Sequence, residues 1–182
     1  MPVQVLVVAA IVVVAGYAAV RWAGAWWKFR GSRVITCPEN HRPAGVRVDA
    51  SHAALTGLAS TPNLRLSQCS RWPERAGCGQ DCLSQIASAP EDCLVRNILL
   101  KWYAGKTCAA CGRPFGEIPL AGSHPAVLLA DKKSVDWNGI RADQLHETLM
   151  GATPICFACH MANTFVREHP ELVVDRRRGE GQ

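Results

Sequence analysis

The feature that most constrains this chain is its apolar N-terminal segment. Residues 3–20 read VQVLVVAAIVVVAGYAAV, in which Gln4 and Tyr17 are the only polar side chains, and the first charge is Arg21. A helix rises about 1.5 Å per residue, so this segment with the following WAGAWW can cross a hydrocarbon layer of about 30 Å. Such uniform apolarity argues against a buried core helix. No basic residue precedes it, as one would in a signal peptide. We therefore predict an uncleaved transmembrane anchor over 1–29.

The residues that flank the apolar segment predict its orientation. Four aromatic residues form a candidate interfacial belt: Trp22, Trp26, Trp27 and Phe29. Four basic residues follow the segment and none precedes it: Arg21, Lys28, Arg30 and Arg33. The positive-inside rule then predicts a single-pass protein of the cell membrane, with the lipid bilayer as one partner and the C-terminal domain in the cytoplasm.

Cysteine content and charge narrow the class of the remaining chain. Nine cysteines occur among 182 residues, all after residue 36, and an odd number cannot be consumed by internal disulfides alone. In a reducing cytoplasm they are better read as metal ligands or small buried side chains. The net charge of +5 is partly juxtamembrane, where it meets anionic lipid. Basic and aromatic residues are not interleaved, which argues against nucleic acid as a partner.

The fold class predicted from these patterns is α+β: a transmembrane helix followed by a small Cys-rich domain with short strands. After the anchor we expect a juxtamembrane linker at 30–36, a Cys-rich first half at 37–104, a zinc module at 105–170 and a charged tail at 171–182. No internal repeat and no low-complexity tract interrupts this order.

Periodicity predicts the elements of the first half. RVITC and AGVRVDA read as two strands joined by a turn at 38–40, followed by a short helix near 51–59 and a further alternating stretch, NLRLSQC. A longer helix is expected over 89–104, because Ser88 and Glu91 fit a capping box and Gly105 a stop. Its apolar face comprises Leu94, Val95, Ile98, Leu99 and Trp102.

The second half is expected to mix short strands with two helices. Strands are predicted near 115–118, 126–129 and 135–137, and a helix over 141–150. The last helix begins near Cys156 and ends before Pro170. Phe157, Met161 and Phe165 are spaced four residues apart along it, as a core-facing stripe would be.

Two C-x-x-C pairs predict a metal site. Cys108 and Cys111 form the first pair, and Cys156 and Cys159 form the second. The two pairs are separated by 44 residues. Four thiolates are a closed tetrahedral ligand set for zinc, and iron uses the same ligands as an alternative. The stretch 112–114 after the first pair reads Gly-Arg-Pro and suits the tight turn of a zinc knuckle, while the second pair opens a helix whose N-terminus stabilises thiolates.

A knuckle, intervening strands and a C-x-x-C at a helix start resemble a treble-clef zinc finger. The stretch PICFACHMANTF also resembles the helix start of HNH-type nucleases, in which a histidine after the last cysteine helps to bind a catalytic metal. The resemblance places His160 in that accessory position. It also implies an upstream histidine beside an acidic residue or a second histidine, but His124 has only Ser123 and Pro125 as neighbours, and the Asn expected before the second pair is absent. The resemblance therefore implies the scaffold without nuclease activity.

The same letters, CFACH at 156–160, match the C-x-x-C-H attachment signature of a c-type haem. Under that alternative the domain faces the other side of the membrane and carries electrons, through haem or through an iron–thiolate centre. The predicted topology and the upstream CAAC favour zinc instead.

A second cysteine group lies in the first half: Cys37, Cys69, Cys78, Cys82 and Cys93. Four of these five residues can form a second metal site, although their spacing follows no single ligand pattern. They can equally be small buried thiols. As a third alternative, Cys69 is a reactive thiol, activated by Arg71 and Arg75 if these lie close in space.

These features together predict a membrane-tethered zinc-binding protein, with a structural or partner-docking function on the cytoplasmic face. The partner is expected to be a membrane or cytoplasmic protein. The sequence contains no evident nucleophile–base pair, carboxylate dyad or phosphate-binding loop, so we expect no enzymatic activity. The alternatives are a redox protein and a degenerate HNH-type nuclease.

Overall fold

A computed structural model describes residues 2–75, 77–119 and 122–172. The chain forms two units, one from the N-terminus to Ile98 and one from Leu99 onward. The division therefore lies within a helix, a few residues before the boundary expected between 104 and 105. Most of the predicted charged tail, from 173 onward, lies outside the described residues.

The first unit combines helices with one antiparallel sheet, as the α+β prediction requires. Its elements are α1 (Pro2–Phe29), β1 (Ser32–Thr36), β2 (Pro43–Val48), α2 (Ala50–Thr56), β3 (Leu66–Cys69), α3 (Trp72–Arg75) and α4 (Leu83–Ser88). The sheet order is β1-β2-β3, and Val46 of β2 lies opposite Cys69 of β3. Most of the expected linker is therefore strand β1.

Helix α1 is long and apolar enough to cross a membrane. The span Val3–Phe29 has a mean hydropathy of 2.5 in its most apolar window, and none of that window is buried. Near its end the helix meets the sheet, because Phe29 is only 5% exposed and belongs to the core of the first unit. Arg21 also donates a hydrogen bond to the carbonyl of Gly57, just after α2. The helix thus has an exposed apolar part and a packed C-terminal part.

A fully buried arginine closes the C-terminal end of α1. Arg33, in β1, donates from Nη2 to the carbonyl of Lys28 at 2.6 Å and from Nη1 to that of Phe29 at 2.7 Å. Two longer bonds reach the carbonyls of Arg30 and Gly31. A helix leaves its last carbonyls without partners and carries partial negative charge there, so a guanidinium satisfies both needs at once. This single side chain joins the apolar helix to the sheet.

The backbone between α1 and β1 turns through a glycine. Gly31 has φ +97°, a conformation that residues with a Cβ rarely adopt. A Cβ at this position would also lie 3.1 Å from the Leu94 side chain. The turn is therefore tight and leaves no free spacer between the helix and the strand.

The helix predicted over 89–104 begins later, as α5 (Val95–Tyr103). The segment before it turns back to the sheet: the N–H of Val34 donates to the carbonyl of Cys93, and Arg33 forms a bridge with Leu94. The capping box is not seen among the described contacts: the Ser88 hydroxyl donates to the Gln85 carbonyl, and the Glu91 carboxylate accepts a hydrogen bond from Asn97. Pairing with β1 thus outweighs the local helix signal.

The second unit contains a small sheet and two further helices. Its elements after α5 are β4 (Ala126–Leu128), β5 (Ser134–Asp136), α6 (Leu145–Gly151), β6 (Thr153–Ile155) and α7 (Phe157–Glu168). The sheet order is β5-β4-β6, antiparallel throughout. The strand expected near 115–118 is absent, and β6 was not predicted because Pro154 lies in its centre.

The apolar stripe of α7 is exposed, contrary to the prediction of a core face. Phe157, Met161 and Phe165 are 39%, 50% and 49% exposed. The face that packs instead carries polar residues, among them His160 and Asn163, which bond to Ser134 of β5. Spacing identified a continuous face correctly but not which face of α7 contacts the sheet.

Substituting Arg33 tests the closure of α1. Arg33→Met removes every donor to the four carbonyls, and we expect the free energy of unfolding to fall by at least about 3 kcal/mol, because buried acceptors of charged hydrogen bonds are left unpaired. Urea unfolding of the full-length protein in detergent micelles, followed by tryptophan fluorescence, measures the loss. Arg47→Met is the matched control, since Arg47 is exposed on β2 and its side chain bonds only to Ser32 among the contacts described. Equal stability of the two variants would contradict this interpretation.

Candidate metal centre

The two C-x-x-C pairs of the second unit come together in space. The four sulfurs of Cys108, Cys111, Cys156 and Cys159 all lie within 4.8 Å of one another. Cys108 and Cys111 lie in a turn after α5, Cys156 lies just before α7, and Cys159 is in its first turn. Because tetrahedral zinc holds its thiolates at about 2.3 Å, sulfurs this close together can be bridged by one ion.

The turn around Cys108 is held by its own backbone. The N–H of Cys108 donates to the carbonyl of Arg113 at 2.9 Å, and the N–H of Gly112 returns to the carbonyl of Cys108 at 2.8 Å. Gly112 has φ +69°, which a glycine adopts at little cost. The N–H of Ala109 donates to the carbonyl of Pro154 in β6, so the turn is attached to the sheet.

Backbone donors prepare the Cys108 sulfur to be a thiolate. Burial raises the pKa of this thiol, but N–H groups of Cys156, Cys111 and Ala110 bond to the sulfur and bring its pKa down to about 6 overall. The Cys156 N–H lies 3.3 Å from that sulfur. Cys159 behaves in the opposite way: hydrogen bonding to Cys156 and burial raise its pKa to about 12. One thiolate is therefore ready at neutral pH, and a cation must displace the proton of Cys159.

The site is buried on one side and accessible on the other. Cys108 is 1% exposed and packs with Ala126 and Ile155 of the sheet, whereas Cys111 is exposed. A set of four protein thiolates leaves no coordination position for a substrate, which is typical of structural rather than catalytic zinc. A metal ion bound there would crosslink the turn, the sheet and the start of α7.

His160 is not part of the group of sulfurs and makes a polar contact with β5. Its Nδ1 lies 2.7 Å from the Ser134 hydroxyl, which in turn lies 2.9 Å from Oδ1 of Asn163. Asn163 Oδ1 can only accept, so the hydroxyl proton goes to it and the Ser134 oxygen accepts from Nδ1–H of His160. Sequence reasoning singled out His160 but missed Ser134 and Asn163; the i, i+3 spacing of His160 and Asn163 was the available signal.

His124 does not join the candidate metal centre. Its ring stacks on Trp137 at a centroid distance of 4.5 Å and an interplanar angle of 6°. Among the residues that the structure describes, the four cysteines are the only group of three or more His, Cys, Asp or Glu side chains with ligand atoms this close. No second group suited to a catalytic metal accompanies them in the described parts of the chain.

The cysteines of the first unit divide into two sets. Four line one small cavity: Cys37, Cys69, Cys78 and Cys82. Cys93 lies apart from this cavity, where its sulfur bonds to the Pro90 carbonyl and to the Arg33 side chain. All nine cysteines of the chain are free thiols.

The opposite pKa shifts of Cys108 and Cys159 predict how zinc affinity depends on pH. Cys159 is protonated below about pH 12, so zinc must displace its proton throughout the neutral range, and affinity should fall at least tenfold per pH unit between pH 8 and 6. Below about pH 6 Cys108 is protonated as well, and the fall should steepen. Competition with a chromophoric chelator over this pH range measures the zinc affinity. The control Cys93→Ser should show the same dependence of affinity on pH. A pH-independent affinity would refute the assignment.

Comparison of the chain with protein-family models, with curated proteins and with solved structures found no match. The interpretation of the second unit therefore rests on its own geometry. That geometry comprises the turn at Cys108, the attachment of this turn to β6 and the second pair at the start of α7.

Proposed function

We propose that this chain is a membrane-tethered zinc protein whose C-terminal unit is built around the four-cysteine site and docks a protein partner at the cytoplasmic face. The observation that carries the proposal is the convergence of four sulfurs from two segments 44 residues apart. Zinc bound there would supply folding free energy to this unit. The function is structural and assembly-related rather than catalytic.

The choice of zinc follows from the ligand set. Thiolates alone select soft or borderline cations, and a closed four-thiolate site without an exchangeable position is typical of structural zinc. Iron binds the same ligands, so the metal is decided by spectroscopy. A treble-clef organisation fits the same observations, because one pair lies in a turn, the other opens α7 and strands separate them.

Membrane anchoring is supported by the side chains at the end of α1. The Arg30 guanidinium lies 3.2 Å from the centroid of the Trp27 ring and 5.1 Å from that of Trp26. Stacked arginine and tryptophan side chains suit the headgroup region, where an apolar ring and a cation are both satisfied. Lys28 and Arg33 add positive charge on the same side, which supports a cytoplasmic location for the rest of the chain.

The exposed stripe of α7 supports a docking function. Phe157, Met161 and Phe165 form an apolar surface that follows directly from the metal-binding end of this helix. Aromatic and methionine side chains are common anchors in protein interfaces. We propose a protein partner with a complementary apolar surface, ordered against α7 only while the metal holds the helix in place.

Removing one ligand should unfold the second unit. In Cys108→Ser or Cys159→Ser we expect zinc content to fall by one ion per chain, with loss of on the order of 10 kcal/mol of metal-dependent folding free energy. Elemental analysis and limited proteolysis of the full-length protein in detergent measure both effects. Cys93→Ser should retain wild-type zinc content, because Cys93 lies outside the site.

The same samples distinguish the alternatives. A haem Soret band would establish the electron-carrier interpretation, and an iron–thiolate charge-transfer band would replace zinc by iron. A second unit that stays folded with excess chelator would overturn the structural role. Magnesium-dependent DNA cleavage lost in His160→Ala would establish the nuclease interpretation; we expect no cleavage.

Site-specific photocrosslinking tests the docking surface. A photoreactive residue at Met161 should give a defined adduct with a protein in cells, because half of that side chain is exposed in the apolar stripe. The matched control is Glu147, exposed on α6 of the same unit. Loss of the Met161 adduct in the Cys159→Ser background is also expected. Absence of an adduct at Met161, or equal adducts at both positions, would contradict docking through α7.

A further inference from the structure

The first unit contains a turn with the same backbone hydrogen bonds as the one at Cys108. The N–H of Cys37 donates to the carbonyl of Arg42 at 2.9 Å, and the N–H of His41 returns to the carbonyl of Cys37 at 2.8 Å. The bonds of the Cys108 turn connect the same relative positions at the same lengths, to Arg113 and from Gly112. Each turn therefore spans the same number of residues and wraps a cysteine sulfur in the same way.

The residue with left-handed backbone conformation also occupies the same position in both turns. Gly112 has φ +69° and His41, at the same relative position, has φ +54°. A histidine in this conformation is uncommon and must be held by its surroundings. At both turns, backbone N–H groups two and three residues on bond to the sulfur: from Glu39 and Asn40 to Cys37, as to Cys108. The sequence hides this likeness, because Asn40 stands where the second turn has Cys111.

Since the Cys37 turn lacks a second cysteine, further ligands must come from elsewhere, and three thiols lie around the same cavity. The cavity has a volume of about 40 Å³, and the sulfur-bearing residues that line it are Cys37, Cys69, Cys78 and Cys82. Cys69 ends β3, Cys82 precedes α4 and Cys78 lies in the loop between α3 and α4. A volume of this size exceeds the roughly 10–15 Å³ that one water needs, so it has room for one ion.

We propose that Cys37, Cys69, Cys78 and Cys82 form a second four-thiolate metal site, which takes zinc or a similar thiophilic divalent cation. The ligands come from a knuckle-type turn, the end of a strand and a loop, whereas Cys93 is not a ligand. The site is independent of the one in the second unit and goes beyond the proposed docking function.

The charges around the cavity suit bound thiolates. Arg71 Nη1 lies 2.9 Å from the Cys37 sulfur, and Arg71 and Arg75 both pair with Glu39 on the rim. Four thiolates with one divalent cation carry a net charge of −2, and the Arg71 guanidinium at the Cys37 sulfur offsets part of it.

The four sulfurs stand further apart than those of the first site: no three of them lie within 4.8 Å of one another. Rotation of a cysteine about χ1 moves its sulfur by roughly 3 Å between staggered positions, which is enough to close a set around a small cavity. The ligands from β3 and the Cys37 turn are fixed by backbone hydrogen bonds, so the loop that carries Cys78 is the part expected to adjust.

Metal stoichiometry of the full-length protein tests the proposal. Wild-type protein, purified in detergent with reductant and reconstituted with Zn²⁺, should hold two ions per chain by elemental analysis. Cys78→Ser should hold one ion. Cys78 lies in the loop between α3 and α4, outside the core cluster of the first unit, so loss of the ion is not explained by unfolding of that core. Cys111→Ser, at an exposed ligand of the other site, should also hold one, and Cys93→Ser should hold two. Titration with Co²⁺ should give thiolate charge-transfer bands that saturate at two equivalents.

The two sites fail separately in this experiment. One ion per chain, lost in Cys111→Ser and unchanged in Cys78→Ser, would overturn the second site and leave the first. One ion lost only in Cys78→Ser would overturn the first site and leave the second. Alkylation under denaturing conditions gives an independent readout: a disulfide between any two of the four cysteines in reductant-purified protein would overturn the metal assignment. Protection of these four thiols from alkylation in the native, zinc-loaded protein, lost after chelation, supports it.

Discussion

The first unit depends on one buried guanidinium. Arg33 lies in the first strand after the apolar helix, yet its side chain turns back to the last two carbonyls of α1 and to the two carbonyls that follow them. Without it, the helix end would be buried beside the sheet with unpaired acceptors, an arrangement that folded proteins avoid. Burial lowers the pKa of this arginine, while the nearby Cys93 and Glu91 raise it. The contact therefore places a positive charge at the negative end of the helix dipole and also links α1 to the first strand of the sheet.

Sulfur-bearing side chains belong to the buried core of both units. Among the described residues, Cys82 lies in the core of the first unit, and Cys108 packs with Ala126 and Ile155 in the second. Domains this small seldom bury enough apolar area to fold securely without disulfides or metals. The same turn geometry recurs at Cys37 and Cys108. In both proposed metal sites backbone N–H groups stabilise a sulfur, and a bound cation would close the fold.

Sequence patterns predicted the elements whose signal is local and failed where distant contacts decide. The alternation in AGVRVDA identified β2, and the paired C-x-x-C motifs identified the sulfurs that converge. The start of α5 was missed because Leu94 pairs with Arg33 of β1, 61 residues earlier in the chain. Likewise the packed face of α7 is set by Ser134 rather than by apolar spacing. The equivalence of the two turns could not be read from letters, since a backbone with φ +54° at His41 is invisible in the sequence.

The tight turn at Gly31 has a mechanical consequence. Only two residues separate α1 from β1, and Arg33 bonds across them. The helix and the sheet are therefore joined without a flexible spacer. In a bilayer, a helix changes its tilt to match the thickness of the hydrocarbon layer. With no slack at the junction, that tilt would turn the sheet and the Cys37 turn through the same angle. The membrane would then set the distance of the sheet from the bilayer surface and the orientation in which it is presented to other molecules.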